Sequence, residues 1–210
     1  WDGDTLTEPH LIKEIHGGSY IHNSGVMEIF NDQIVMTIGD LSNRDGITQN
    51  NLDGDFDHTS VIIPIEPVGE PIAIGIRNSF GLDVDPKTGY LWNTENGDDE
   101  FDEINLVFQD FNSGWSIAQG PATETQKKLL EQNSSFVYAD PKFSWERPIG
   151  VTAIHVVTSS NFDSLNDYVL VGAFHNGNLY NFKLNSERNG FIFENEELYD
   201  YVLNKNDDAT

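Results

Sequence analysis

Short apolar runs alternate with polar punctuation along almost the whole chain. Runs of four to eight residues rich in Val, Ile, Leu and Tyr are bounded by clusters of Gly, Asn, Asp and Pro, the pattern of β-strands joined by turns. A helical period is convincing only over residues 123–132, in the segment TETQKKLLEQ. The pattern therefore predicts an all-β protein with one short helical insert. The predicted strands are 33–38, 60–65, 82–85, 90–94, 103–108, 151–158, 168–172 and 178–184.

A loose repeat organises these strands. Residues 26–40, 82–97 and 154–173 each contain a strand, a polar turn, a more apolar strand and a polar loop with Gly, Asp, Asn or His. A spacing of several tens of residues between the second strands is typical of four-stranded propeller blades. We expect about three to four blades in a single domain over residues 1–210, as part of a longer propeller. A β-sandwich is the alternative that the pattern leaves open.

Composition and charge exclude several classes of protein. The chain has 35 acidic and 11 Lys or Arg residues, which gives a formal net charge of −24. A charge of this sign repels phosphate backbones and anionic bilayers, so neither nucleic acid nor a membrane surface is an expected partner. No apolar stretch is long enough for a membrane-spanning helix. The absence of Cys excludes thiolate catalysis, disulfides and Cys-based zinc sites.

His22 and Asp40 are the first candidates for chemistry. His22 lies in a polar turn, HNSG, and Asp40 follows the next strand. Imidazole is the natural general base near neutral pH, and a carboxylate can fix its tautomer. A capping or surface role for a His before a Gly turn is the alternative.

A second candidate cluster is the turn GIRNSFG at residues 75–81. The guanidinium of Arg77 and the amide of Asn78 are suited to bind a carboxylate or a quinone-like carbonyl. A structural ion pair between Arg77 and nearby carboxylates is an equally acceptable interpretation.

The loop over residues 94–105 is strongly acidic. Oxygen-rich loops of this kind suit calcium, which accepts carboxylates and backbone carbonyls alike. The candidate ligands are Glu95, Gly97, Asp98 and Asp102. A solvated acidic surface is the alternative.

Two tryptophans and one histidine complete the candidates. Trp115 and Trp145 are suited to stack on a flat ligand or a sugar ring, although packing in the core is the default for each. His175 closes the third repeat at a position comparable to Asp40.

On these residues the sequence resembles the glucose/sorbosone dehydrogenase family, soluble quinoprotein sugar dehydrogenases built on a six-bladed β-propeller. The stretches that carry the resemblance are HNSGVMEIFNDQIVMTIGD, GIRNSFGLDVDPKTGYLWNTENG and DEINLV, with weaker matches in FNSGW and YVLVGAFHNGNLYNFKL. They follow the family's order over most of residues 20–185.

The resemblance implies oxidation of an aldose at its anomeric carbon, with pyrroloquinoline quinone (PQQ) held over calcium and an external electron acceptor. It implies that His22 is the general base, that Asp40 supports it, and that Asn78 binds the cofactor beside Arg77. Gly97 and its neighbour match backbone carbonyls that hold calcium. It also implies a location outside the cytoplasm.

The sequence departs from the family at several points. Asp98 stands where the family often has Pro, and His175 stands where a Lys is expected to reach the cofactor. The family's cofactor-binding arginines lie beyond residue 210, so we expect residues 1–210 to be inactive alone. The alternative functions are a non-catalytic propeller that binds carbohydrate or protein, and a calcium-dependent propeller lactonase.

Overall fold

A computed structural model describes residues 20–42, 49–50, 58–162 and 164–194, together with residues 3, 8 and 10–14. The predicted domain, 1–210, therefore includes segments that lie outside the described residues. Within the described part the secondary structure is almost entirely β, as the alternating pattern predicts. The strands are β1 (Ser24–Phe30), β2 (Gln33–Ile38), β3 (Val61–Glu66), β4 (Ala73–Ile74), β5 (Gly81–Val84), β6 (Leu91–Glu95), β7 (Asp102–Val107), β8 (Phe111–Asn112), β9 (Val137–Tyr138), β10 (Phe143–Trp145), β11 (Val151–Val157), β12 (Tyr168–Ala173), β13 (Leu179–Leu184) and β14 (Phe191–Ile192).

The strands form three sheets, each built as an antiparallel meander. The first sheet has the order β1-β2-β3-β4 and is extended by β8 and β9, which pair in parallel. The second has the order β5-β6-β7-β10, and the third has the order β11-β12-β13-β14. Because β5 packs against both β1 and β11, the sheets meet through their first strands.

The core lies between adjacent sheets. One apolar cluster fills the space between the first and second sheets, and a second fills the space between the second and third. Strands with one face against a cluster alternate buried and less buried positions, as β12 does along its length. The fully buried Trp92 stacks on Phe191 with ring centroids 5.3 Å apart, which joins the second and third sheets.

The helix α1 (Glu124–Asn133) begins one residue later than the pattern indicates. Thr123 is its N-cap, because the Thr123 hydroxyl accepts from the Gln126 N–H while the Gln126 side chain accepts from the Thr123 N–H at 2.9 Å. This reciprocal pair is a capping box. Leu130 packs the helix against Ala118 and Ala122. Among the described residues, no helix has the length and apolarity needed to cross a bilayer.

An ion network ties the second sheet to the third. Arg188, in the turn after β13, donates to both oxygens of the buried Asp85 at 2.6 and 3.0 Å and also pairs with Asp167. Burial raises the pKa of the Asp85 carboxyl, but hydrogen bonds from Arg188 and from the Lys87 N–H outweigh burial and hold this pKa below its ordinary value. Lys87 extends the network to Asp167 at 2.6 Å.

Candidate functional site

His22 and Asp40 meet at one end of the hairpin formed by β1 and β2. His22 lies just before β1 and Asp40 just after β2, so the antiparallel pairing brings them together. The His22 Nδ1 lies 2.8 Å from Asp40 Oδ1, and the two side chains are 15% and 5% exposed. Gly39 allows this approach, because a Cβ at Gly39 would overlap the backbone carbonyl of His22 and lie 2.8 Å from that of Arg77. The arrangement is a histidine oriented by a buried carboxylate.

The second oxygen of the Asp40 carboxylate is bound by Trp115. The indole Nε1 of Trp115 donates to Asp40 Oδ2 at 2.9 Å, and the Ser42 N–H donates to Oδ1 at 2.9 Å. Trp115 follows β8, 75 residues along the chain from Asp40. Of the two tryptophans predicted to line a site, Trp115 is thus joined to the His22–Asp40 pair.

The Arg77 guanidinium lies over the ring of Trp115. The guanidinium carbon is 5.3 Å from the centroid of the Trp115 ring, a cation–π arrangement. The Nη1 donates to the carbonyls of Asn96 at 3.0 Å and Gly97 at 2.6 Å, and the Nη2 pairs with Asp98. The Arg77 carbonyl also accepts from the Asp40 N–H at 2.8 Å. Arg77 therefore connects the His22–Asp40 pair to the loop at residues 96–98.

Among the residues that the structure describes, two buried polar atoms of this turn have no hydrogen-bond partner. They are the Nε of Arg77 and the Oδ1 of Asn78. Such atoms are costly unless a ligand or water satisfies them. The backbone carbonyl of Asn78 is satisfied, since it accepts from the Asn96 N–H at 2.9 Å. The turn therefore offers one free donor and one free acceptor next to the His22–Asp40 pair.

Each of the four candidate calcium ligands has a hydrogen-bond or ion-pair partner among the described residues. The fully buried Asp102 uses Oδ1 to accept from the Gly97 N–H at 3.0 Å. Its Oδ2 accepts from three successive backbone N–H groups, those of Ile149, Gly150 and Val151, at 2.7, 2.6 and 3.2 Å. Successive backbone N–H groups of this kind form an anion-binding nest. The Asp102 carboxylate thus accepts from four backbone N–H groups.

Glu95 is also engaged. Its Oε1 accepts from the Arg77 N–H at 2.7 Å and its Oε2 from the Ser113 hydroxyl at 2.6 Å. Burial and the nearby Glu103 carboxylate raise the pKa of Glu95 to about 8, so the group is protonated at neutral pH. The described residues contain no cluster of three or more His, Cys, Asp or Glu side chains able to hold a metal ion.

Trp145 and His175 lie elsewhere. Trp145 packs in the core between the second and third sheets, with ring centroids 4.8 Å from Phe143 and 5.3 Å from Tyr180. This is the core-packing alternative for Trp145 rather than sugar stacking. The exposed His175 side chain lies against Gly150, and the backbone N–H of His175 donates to the Ile149 carbonyl at 2.9 Å. It therefore contacts the segment that carries the Asp102 nest.

The site depends on several residues that sequence reasoning did not single out. Ser113 bridges towards Glu95 and Glu103, and Asn112 forms a reciprocal amide pair with Asn50 at 2.9 and 2.7 Å. The signal for Asn112 and Ser113 is the polar NSG between Phe111 and Trp115 in the segment FNSGW, which the family resemblance already includes. Asn50 offers no comparable signal, because it lies far along the chain from its partner.

Comparison with known proteins places the chain in a family. The family model for glucose/sorbosone dehydrogenase matches residues 7–204. An aldose sugar dehydrogenase of Escherichia coli, YliI, is 26% identical over 116 residues, which are 54% of this chain and 31% of the relative.

Two solved structures share the fold. The PQQ-bound aldose sugar dehydrogenase from Streptomyces coelicolor has a TM-score of 0.63 at 19% identity, covering 84% of this chain and 48% of that one. The apo form of the soluble E. coli aldose sugar dehydrogenase has a TM-score of 0.64 at 19% identity, covering 86% and 55%. The chain thus spans about half the length of these solved relatives. The predicted fold class, an all-β propeller of the quinoprotein sugar dehydrogenase type, is confirmed by this likeness, and the match over residues 7–204 shows that the chain belongs to the glucose/sorbosone dehydrogenase family.

Proposed function

We propose that the protein is a sugar dehydrogenase that oxidises an aldose at its anomeric carbon and passes the electrons to PQQ. The observation that carries the proposal is the His22–Asp40 pair, with a 2.8 Å contact in a largely buried setting. Membership of the family supports a sugar oxidoreductase, and one solved relative is a PQQ-bound form. The external acceptor that would reoxidise the cofactor is part of the proposal.

His22 acts as the general base. Its Nδ1–H donates to Asp40, which leaves Nε2 to accept a proton. The anomeric hydroxyl gives its proton to Nε2 as C1 loses a hydride with its electron pair, and the C1–O bond becomes a carbonyl. Asp40 holds the ring in the required tautomer and stabilises the imidazolium that forms.

The turn at Arg77 and Asn78 fits a polar cofactor. The unpaired buried Arg77 Nε can donate and the unpaired Asn78 Oδ1 can accept, which suits a ligand that carries carbonyl, carboxylate and N–H groups. PQQ, when bound, supplies the two-electron acceptor that no side chain of this composition provides. Arg77 and Asn78 would bind and orient it beside His22.

The side-chain ligands predicted for calcium already have other partners, and the calcium site stays a prediction. Both oxygens of Glu95 and of Asp102 are hydrogen-bonded to N–H or O–H groups, and the Gly97 carbonyl accepts from Arg77. A carbonyl has a second lone pair, but the side-chain ligands of the candidate set are committed to other donors. We therefore assign no step of the reaction to calcium.

The test uses the longest natural polypeptide that contains this sequence. After loading with PQQ, it should reduce a redox dye in the presence of an aldose. His22→Gln should lower kcat at least about 100-fold, the lower range for a general base, while PQQ binding measured by absorbance titration is retained. His155→Gln is the matched control, because His155 is an exposed histidine that also contacts a carboxylate.

The outcomes separate the candidate functions. A folded protein that oxidises no aldose but binds a carbohydrate or a protein would favour the non-catalytic propeller. Failure to bind PQQ in a folded protein would overturn the proposal.

A further inference from the structure

We propose that Trp115 is a positioning residue that holds the Asp40 carboxylate through its indole N–H and the Arg77 guanidinium through its ring. One side chain would then align the base pair and the cofactor-binding arginine together. The proposal extends the proposed function, on which it rests, to a residue for which the sequence leaves core packing and stacking on a ligand open.

The need for a positioning group follows from the geometry of Asp40. A carboxylate rotates about its Cβ–Cγ bond unless both oxygens are bound. His22 Nδ1 and the Ser42 N–H both approach Oδ1, so they fix only one oxygen. Trp115 Nε1 reaches Oδ2 at 2.9 Å and fixes the plane of the carboxylate. Asp40 is nearly inaccessible, so water is a poor substitute for this donor.

Trp115 is itself held by the backbone around it. The backbone N–H of Trp115 donates to the Gly75 carbonyl at 3.2 Å, and its backbone carbonyl accepts from Asn50 Nδ2 at 2.6 Å. Asn50 is fixed in turn by its reciprocal amide pair with Asn112. Gly75 allows the Asn112 side chain to lie close to the backbone, since a Cβ at residue 75 would lie 2.6 Å from Asn112 Oδ1. The indole is therefore presented from a supported backbone.

The ring face of the indole lies against the Arg77 guanidinium. Because Arg77 donates to the carbonyls of Asn96 and Gly97, movement of the guanidinium would also move the loop at 96–98. The two contacts of Trp115 can be separated by substitution. Trp115→Phe removes the N–H and keeps an aromatic face, whereas Trp115→Ala removes both.

The first test needs no enzymatic activity. In the ¹⁵N-labelled protein, the indole N–H signal that disappears in Trp115→Phe belongs to Trp115. In Asp40→Asn this signal should shift and exchange with solvent roughly tenfold faster, the change expected when a hydrogen bond to a carboxylate is replaced by a weaker one. A Trp115 signal unchanged by Asp40→Asn would overturn the proposal even if sugar oxidation is demonstrated.

The second test is kinetic and uses the PQQ-loaded protein. Trp115→Phe should lower kcat roughly 10- to 100-fold with little change in KM or PQQ affinity, because it misaligns the base without removing the ring. Trp115→Ala should in addition weaken PQQ binding. Trp145→Phe, in the inter-sheet core, is the control: it should lower Tm without a specific loss of kcat.

The results distinguish two failures. An unchanged kcat in a folded Trp115→Phe variant would overturn the positioning role. If the wild-type protein oxidises no aldose, the proposed function fails, while the NMR experiment still decides whether Trp115 holds Asp40.

Discussion

Glu95 and Glu103 lie directly opposite each other on β6 and β7, and both side chains are buried. The Ser113 hydroxyl lies between them, 2.6 Å from Glu95 Oε2 and 3.5 Å from Glu103 Oε2. Two ionised carboxylates in this position would repel each other in a poorly solvated setting. Burial first, and the Glu103 charge second, therefore raise the pKa of Glu95 to about 8. The pair is in contact with Arg77, whose backbone N–H donates to Glu95 Oε1 at 2.7 Å.

This pair makes stability depend on pH. Folded Glu95 keeps its proton up to about pH 8, whereas a carboxyl with its ordinary pKa of 4.5 loses it much earlier. The folded state therefore binds more protons than the unfolded state between these values, and the free energy of unfolding falls as the pH rises across this window. Glu95→Gln should flatten this fall, as measured by denaturant unfolding at several pH values. Glu131→Gln, an exposed carboxylate on α1, should keep the wild-type slope. An unchanged slope in Glu95→Gln would show that Glu95 is ionised in the folded state.

Asp102 is predicted to stabilise the fold rather than bind a cation. Asp102→Asn replaces a carboxylate oxygen with an NH₂ group, which cannot accept from the backbone N–H groups that point at it. Leaving buried donors unpaired should lower the free energy of unfolding by roughly 2–4 kcal/mol. The matched control is Asp99→Asn, an exposed position of the same loop, which should change stability by less than about 0.5 kcal/mol. Calcium-dependent stabilisation that is lost in Asp102→Asn and kept in Asp99→Asn would contradict this assignment.

The strands and the His22–Asp40 pair could be predicted from sequence for physical reasons. Alternating apolar positions reflect strands with one face against a core, and this pattern is local. His22 and Asp40 flank one hairpin and are only 18 residues apart, so antiparallel pairing of β1 with β2 brings them together.

The destinations of the acidic side chains could not be predicted in this way. Composition marks residues 94–105 as acidic, but three of the four donors for Asp102 lie 47 to 49 residues further along the chain. The contact of Trp115 with Asp40 spans 75 residues and depends on how the sheets pack. Local patterns carry no information about such long-range partners. From its sequence, the acidic loop is therefore compatible with a metal site or with a solvated surface. In the structure its buried carboxyl groups are hydrogen-bonded to N–H and O–H groups.

Arg188 is predicted to be essential for joining the second and third sheets. Arg188→Met leaves the buried Asp85 carboxylate without the two bonds from the guanidinium, which should cost about 3–5 kcal/mol of unfolding free energy at neutral pH. Burial alone would raise the pKa of Asp85. The hydrogen bonds from Arg188 and the Lys87 N–H lower this pKa by more, so it lies below its ordinary value. The contribution of the pair is therefore present above the ordinary carboxyl range and is lost as the pH falls through the folded pKa, so the variant should lose less stability on acidification than wild type.

Two comparisons check this assignment. Lys87→Met breaks an exposed ion pair with Asp167 and should cost less than about 1 kcal/mol. Arg188→Met combined with Asp85→Asn should recover part of the loss, because the uncompensated charge is removed. Equal losses in Arg188→Met and Lys87→Met would contradict a dominant role for the buried pair.

Gly39 is predicted to set the position of His22. A Cβ at this residue would overlap the His22 carbonyl and lie 2.8 Å from the Arg77 carbonyl, and both contacts are with backbone, which cannot rotate away as a flexible side chain can. Gly39→Ala must therefore separate the His22 turn from the Arg77 turn. We expect sugar-dependent dye reduction by the PQQ-loaded protein to fall roughly 100-fold, the cost of misplacing a catalytic group by about 1 Å. The control is Gly190→Ala, where a Cβ has an ordinary neighbour, Asn185 Nδ2, at 3.4 Å. Circular dichroism separates local displacement from unfolding. A folded Gly39→Ala variant with wild-type activity would show that His22 does not need this position. A folded variant that loses activity but retains the Trp115 indole signal would confine the displacement to the His22 side of the His22–Asp40 pair.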